Sequence, residues 1–304
     1  MADRRSTVVA SLARRLSGRD TQQNNAVMRT LALLFCAVVV RANPVLDISV
    51  DPVAGTYNVS INDQVWFPGG PTKVWADGTL YSSSDGSLVV TAHSEGSGTD
   101  TMGDFKLHEL TWSAPAANAT VGLFVQFKVY GSYIVFEQRN AHTIPNAGVG
   151  NKDGVATVFP SFKVSSDTTK MRRGALAFNG DMVGSGYQTF EWGKADVPHG
   201  VAGTAPIAVF AEDASATSVL SPAYNFMAAN QYFDGESNIL MYGVQGAVGE
   251  IPAGFTIQTI LTASAQGPGG AMMEWGDVLL EKYGKDRSGP ERDMTLNYLG
   301  YSTE

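Results

Sequence analysis

The 304-residue sequence is 44% hydrophobic and 16% charged, with 33 glycines and 13 prolines. That supplies apolar material for one large domain or two modest ones and excludes a disordered chain. A formal net charge of −8 opposes binding to nucleic acid or to an anionic membrane surface.

The charge is unevenly placed. Residues 1–42 hold seven arginines against two aspartates, a net of +5, which leaves −13 on the rest. Leu31 to Val40 is a run of ten uncharged residues, too short to cross a bilayer as a helix, which takes about 20, but suited to the apolar core of a signal peptide. Val40-Arg41-Ala42 offers small residues at the positions a signal peptidase reads, so cleavage is expected between Ala42 and Asn43. Met28-Arg29 would begin an ordinary signal peptide, making 1–27 a spurious upstream extension. An arginine-rich transit sequence and a buried core segment are the competing readings. Cys36, the one cysteine, lies in this segment, so the mature protein is expected to lack disulfides, thiolate metal sites and a cysteine nucleophile. In a secreted chain, Asn58-Val59-Ser60 and Asn118-Ala119-Thr120 would be N-glycosylation acceptors.

From residue 43 onward the hydrophobic period is two. Val45–Val50 and Thr56–Ile61 alternate on either side of a turn at Asp51–Gly55, which predicts a hairpin. A second hairpin is predicted at Leu123–Val129 and Tyr133–Gln138 around Gly131-Ser132. Further strands are expected at 88–92, 105–112, 157–164, 175–178, 188–192, 207–211, 218–220, 239–244 and 255–263. Ser82–Gly86 and Ser94–Gly103 read as polar, Gly-rich loops. One helix is predicted at Ala271–Tyr283, with Met272, Trp275, Val278 and Leu279 at spacings of three and four and Gly284 as its stop. The expected fold is all-β: a large antiparallel sandwich over 43–269, a linker helix and charged linker over 270–293, and a fresh strand within 294–304 that reads as the start of a further domain.

No motif carries chemistry by itself. The four histidines (His93, His108, His142, His199) show no metal-ligand spacing, so neither metal nor cofactor is expected. Gly148-Val149-Gly150 and Gly184-Ser185-Gly186 do not join a strand to a helix and read as turns. Carboxylates abound, but no acid–base pair is legible without knowing which of them face each other. The aromatic residues are more suggestive. Trp66-Phe67 and Trp75 flank Pro68-Gly69-Gly70-Pro71, and flat rings near a rigid loop suit stacking on a sugar face; the competing role for such tryptophans is inter-sheet core.

The segment Glu274-Trp275-Gly276-Asp277, Lys282-Tyr283-Gly284-Lys285 and Leu296-Asn297-Tyr298-Leu299-Gly300-Tyr301 resembles the passage from the N-terminal β-supersandwich to the (β/α)8 barrel of raffinose-synthase and α-galactosidase-like glycosidases. Phe210-Ala211-Glu212-Asp213, Val219-Leu220-Ser221-Pro222 and Gly246–Phe255 resemble that sandwich more weakly. The resemblance implies a non-catalytic domain of a secreted carbohydrate-active protein. Because the family's catalytic aspartates lie on later barrel strands, it assigns no catalytic residue here and makes the barrel a missing partner. Two alternatives stay open: a stand-alone carbohydrate-binding sandwich with Trp66 and Trp75 as contacts, and a free-standing hydrolase with a carboxylate pair across a concave sheet.

Overall fold

A computed structural model describes residues 44–117, 121–151, 153–164, 172–178, 187–193 and 202–288. The Ala42–Asn43 cleavage site, Asn118 and the expected strand within 294–304 lie outside the described residues. Contacts divide the chain into two compact units, Met1–Ala42 and Asn43–Glu304.

The second unit is all-β and antiparallel, with one α-helix among the described residues. The N-terminal hairpin is β1 (Leu46–Val50) and β2 (Tyr57–Ile61), extended by β3 (Gln64–Pro68). Its turn follows from Asp51, whose Oδ1 accepts the backbone N–H groups of Val53 and Ala54 at 2.8 and 3.0 Å. These bonds, that to Ala54 foremost, hold the Asp51 carboxyl below its ordinary pKa. Gly55 closes the turn at φ +66°, where a Cβ would lie 2.3 Å from the Trp112 ring. A second small hairpin follows, β4 (Lys73–Ala76) with β5 (Thr79–Ser82).

The long hairpin β6 (Val89–Asp100) and β7 (Gly103–Ser113) leads into β8 (Gly122–Val129) and β9 (Tyr133–Asn140), joined by the expected turn with Gly131 at φ +91°. Short strands β10 (Ile144–Pro145), β11 (Thr157–Val158) and β12 (Ser161–Lys163) come next; Pro160, which lacks an N–H, divides what the sequence suggests is one strand over 157–164. Then come β13 (Arg173–Phe178), β14 (Tyr187–Trp192), β15 (Ala202–Gly203), β16 (Ile207–Ala211), β17 (Thr217–Tyr224), β18 (Ala229–Asp234), β19 (Ile239–Val244), β20 (Glu250–Ile251), β21 (Thr256–Ser264) and helix α1 (Gly267–Lys282).

Nine strands form the main sheet in the order β14-β13-β16-β17-β21-β9-β8-β7-β6. Smaller sheets, β1-β2-β3, β11-β4-β5 and β12-β19-β18-β15, cover one face and share with it a continuous core. The sandwich expected from the sequence is therefore present. Strand β8 shows the cause: Leu123, Val125, Phe127 and Val129 are buried while Phe124, Gln126 and Lys128 are half-buried on the far side. By contrast, β17 is buried on both faces from Thr217 to Ala223, because α1 lies over it. The helix is fastened by Trp275 Nε1–H donating to Ser221 Oγ at 2.9 Å and Tyr283 O–H donating to the Ala223 carbonyl at 2.6 Å. It ends as a Schellman motif, with Gly284 at φ +59° and its N–H bonded to the Glu281 carbonyl at 3.0 Å, while Lys285 N–H reaches the Leu280 carbonyl at 2.8 Å.

One sequence expectation needs correction. Ser94–Gly103 is mostly strand: β6 runs to Asp100, paired residue by residue with β7. Its exposure on both faces removes the alternation that would announce a strand, while Phe105 packs over Gly98, where a Cβ would meet the ring at 2.7 Å. Trp66 lies on β3 and Trp75 on β4, flanking the Pro68–Pro71 stretch as the sequence suggests. Gly69 N–H donates to the Tyr57 carbonyl at 2.7 Å and Gly70 N–H to the Ser161 carbonyl at 2.8 Å, so Pro68–Pro71 is pinned between β2 and β12.

At the centre of the core, Tyr57 sits among Phe127, Phe159, Phe162 and Phe136, with ring centroids 5.0 to 6.3 Å away. Its hydroxyl donates to the Ser161 carbonyl at 2.7 Å and accepts the Ser161 N–H at 2.8 Å. Burial pushes the phenol pKa well above its ordinary range. Tyr57→Phe strands a buried N–H, and urea unfolding should show a loss of about 1–3 kcal/mol with an unchanged m-value.

Candidate functional site

Trp66 and Trp75 part company. Trp66 is 2% exposed and belongs to the core, its ring covered by the Arg173 guanidinium 4.6 Å from the centroid. That side chain also donates to the carbonyls of Val65 and Trp66 at 3.2 and 3.3 Å. With its faces covered, Trp66 cannot stack on a sugar. Trp75 lies on the outer side of β4, half-buried, alternating with buried Val74 and Ala76 and opposite Leu80 of β5. Lys73 shares that outer side.

Beside this hairpin opens a cleft of about 370 Å³. Gly69, Gly70 and Pro71 form one wall, Ser83, Ser84 and Gly86 another, and Trp112 and Lys163 border it. The lining mixes glycine backbone, hydroxyls and one ammonium with the apolar side chains of Val53, Ala54, Leu88, Val89 and Val90. The Trp112 indole N–H is buried and has no acceptor.

A second, open pocket of about 490 Å³ lies over β13, β14 and β16. It brings together two carboxylates that the sequence leaves unrelated. Arg172 donates to both Glu191 oxygens, Nε to Oε1 at 3.3 Å and Nη2 to Oε2 at 3.1 Å, and lies 3.9 Å from Glu212. One guanidinium thus hydrogen-bonds Glu191 and lies at ion-pair distance from Glu212.

The third cluster is one that sequence reasoning misses. His93 and Glu95 stand two apart on β6 and so share a face, and His108 of β7 lies opposite Glu95 in the register. Glu95 Oε1 is 3.4 Å from His93 Nε2 and 3.3 Å from His108 Nδ1, and the two rings are near-parallel with centroids 6.4 Å apart. Both nitrogens are closed off from solvent, yet neither contact has hydrogen-bond geometry. The legible signal was His-x-Glu on an extended segment, hidden by reading the segment as a loop. His142 stands apart from the cluster, exposed beyond the end of β9.

The arm carrying this cluster is fastened at its tip by Asp100, which accepts from Tyr130 O–H at 2.7 Å, the Met102 N–H at 2.9 Å and Lys128 Nζ at 3.1 Å. Burial acts to raise the Asp100 pKa, but these donors outweigh it and the carboxyl is held below its ordinary value. Among the described residues, no helix is long and apolar enough to cross a membrane.

No family model matches the chain, and no curated protein does. Among solved structures it is similar to a Glycoside Hydrolase Family 97 enzyme from Pseudoalteromonas sp. strain K8, solved with acarbose (TM-score 0.47, 11% identity, over 73% of this chain and 34% of that one). It is also similar to the alpha-N-acetylgalactosaminidase NagBb from Bifidobacterium bifidum, solved with GalNAc (TM-score 0.49, 9% identity, 78% and 37%). A third is the GH36 alpha-galactosidase AgaB from Geobacillus stearothermophilus (TM-score 0.42, 11% identity, 77% and 34%). The chain spans about a third of the length of each of these glycoside hydrolases.

A depressed carboxyl stabilises the fold above its unfolded pKa, and that contribution is lost as pH falls through the lower folded value. Asp100→Asn should therefore loosen the β6–β7 arm at neutral pH, by up to about 1 kcal/mol for such a partly exposed network. The difference from the unaltered chain should vanish toward pH ~2, read by hydrogen exchange at the arm amides.

Proposed function

We propose that the sandwich is the non-catalytic domain of a secreted glycosidase-type protein, seated against a catalytic (β/α)8 domain that comes after it in the chain. The observation that carries this reading is an exposed aromatic patch at the end of α1. Tyr224, Phe226 and Tyr283 are 41–42% exposed and Met227 is 96% exposed, with the Phe226 and Tyr283 rings 6.4 Å apart. Clustered apolar side chains facing water mark an interaction surface. This one lies beside Lys282-Tyr283-Gly284-Lys285, whose sequence resembles the family's junction. A following domain is thus the occupant within shortest reach.

Transcript sequencing across the codon for Glu304 tests the reading. An open frame that continues for several hundred residues with alternating strands and helices is the expected result, together with α-galactoside hydrolysis by the full product and none by the 304-residue chain. In that product, Phe226→Ser with Met227→Ser should lower the thermal midpoint while the sandwich keeps its own transition. Hydrolysis by the 304-residue chain, or a stop codon directly after Glu304, would sink it. Secretion is part of the same proposal, and the exposed side chain of Asn58 on β2 gives it a direct check. Enzymatic deglycosylation should reduce the apparent mass of the secreted chain, by less in the Asn58→Gln variant.

A second reading, direct sugar binding by the sandwich, is favoured by Trp75, half-buried on the outer side of β4. In a glycan array, Trp75→Ala should weaken any captured ligand about tenfold, the loss of roughly one stacking contact. Undiminished binding would remove Trp75 from the site.

A further inference from the structure

We propose that His93, Glu95 and His108 form a divalent-metal site on the β6–β7 arm, with zinc as the ion its donors fit. Two imidazole nitrogens and one carboxylate oxygen are a donor set characteristic of zinc, which takes three protein ligands and leaves a position for water. The distances agree with the ion. At metal–ligand bonds of about 2.0–2.2 Å, the edge of a tetrahedral site measures about 3.3–3.6 Å. The two edges to Glu95 Oε1 are 3.4 and 3.3 Å, and the three donor atoms lie within 4.8 Å of one another.

The unsatisfied nitrogens make the stronger case. His93 Nε2 and His108 Nδ1 are buried and lack hydrogen-bond partners, a state that buried polar atoms seldom keep without an ion or water. Both lie at ion-pair distance from one carboxylate oxygen without hydrogen-bonding to it. A simple imidazolium–carboxylate pair would satisfy one ring and leave the other beside a positive charge. A metal satisfies both rings in their neutral form.

The location supplies a reason for the site. Strand β6 is the outermost strand of the nine-stranded sheet, and most of its residues are exposed. His93 lies opposite Leu110, and His108 pairs across the sheet with Phe127, both buried, so the cluster stands where the core gives out. Beyond it the arm has little apolar burial to hold its two strands together. An ion bridging β6 to β7 at this point clamps the edge strand. Glu95, 59% exposed, leaves the remaining coordination position toward solvent.

Isothermal titration of the chelator-stripped full chain with Zn²⁺ tests the proposal. One ion per chain is expected, with no uptake of Mg²⁺ or Ca²⁺, which prefer all-oxygen sites. His93→Ala and His108→Ala should each weaken binding at least tenfold, Glu95→Gln should weaken it too, and His142→Ala should leave it unchanged. Where a variant melts early without metal, cobalt substitution in the unaltered chain decides. Intense visible bands of a tetrahedral N/O site support the assignment, and weak octahedral absorption overturns it. Hydrogen exchange should slow at β6 and β7 amides on Zn²⁺ addition. Binding that survives loss of both histidines, or no binding at all, overturns the proposal.

Discussion

The sandwich depends on how the small sheets that cover its main sheet are locked to one another over the aromatic core, and the lock is the hydroxyl of Tyr57. That one oxygen both donates to and accepts from the backbone of Ser161, so β2 of one small sheet is fixed to β12 of another through a buried pair of bonds. Each bond is worth little net against water, but losing the hydroxyl leaves the Ser161 N–H in a hydrocarbon environment. Neighbouring backbone contacts repeat the tie, with Gly69 bonded to Tyr57 and Gly70 to Ser161. Neither glycine tolerates a side chain, since a Cβ would meet the Tyr57 carbonyl at 2.4 Å or Ser161 Oγ at 2.5 Å. The Pro-Gly-Gly-Pro stretch is therefore explained by packing, and its place in the wall of a cleft is a consequence.

The main sheet uses its two faces differently. One is buried under the small sheets; the other is covered by α1 over β16, β17 and β21 and is polar further along. Across β7, β8, β9 and β21, Glu109, Gln126, Glu137 and Gln258 stand in register, and Gln126 donates to Glu109 while Gln258 donates to Glu137. Lys282, at the end of α1, donates to Gln258. Burial presses the Lys282 ammonium downward in pKa, opposed by the field of Glu137. This row binds the helix end to the sheet by charge and hydrogen bonds where apolar contact runs out. It thereby fixes the position of Tyr283 and of the exposed patch around it.

The three carboxylate-bearing clusters differ in what surrounds them. Glu191 and Glu212 share an arginine, Asp100 collects donors from a loop backbone, a tyrosine and a lysine, and Glu95 faces two histidines that lack other partners. The first two arrangements are satisfied and structural. Only the third leaves directed lone pairs unmet, which is why it alone among them points to a ligand.

The sequence by itself determined the fold class, both hairpins with clear alternation and the helix with its glycine stop. Each of these is local: period-two burial, a turn residue with positive φ, or apolar spacing of three and four on one face. It also drew attention to the segment around Trp66 and Trp75. It did not separate the two tryptophans, because whether a ring is covered depends on Arg173, more than a hundred residues beyond Trp66. The continuation of β6 beyond Ala92 escaped notice since an edge strand exposed on both faces carries no hydrophobic rhythm, and with it went the His93–Glu95–His108 cluster. Only the pairing register of β6 with β7 sets His108 opposite Glu95, and register is a property of the sheet, fixed by partners rather than by the residues of either strand alone.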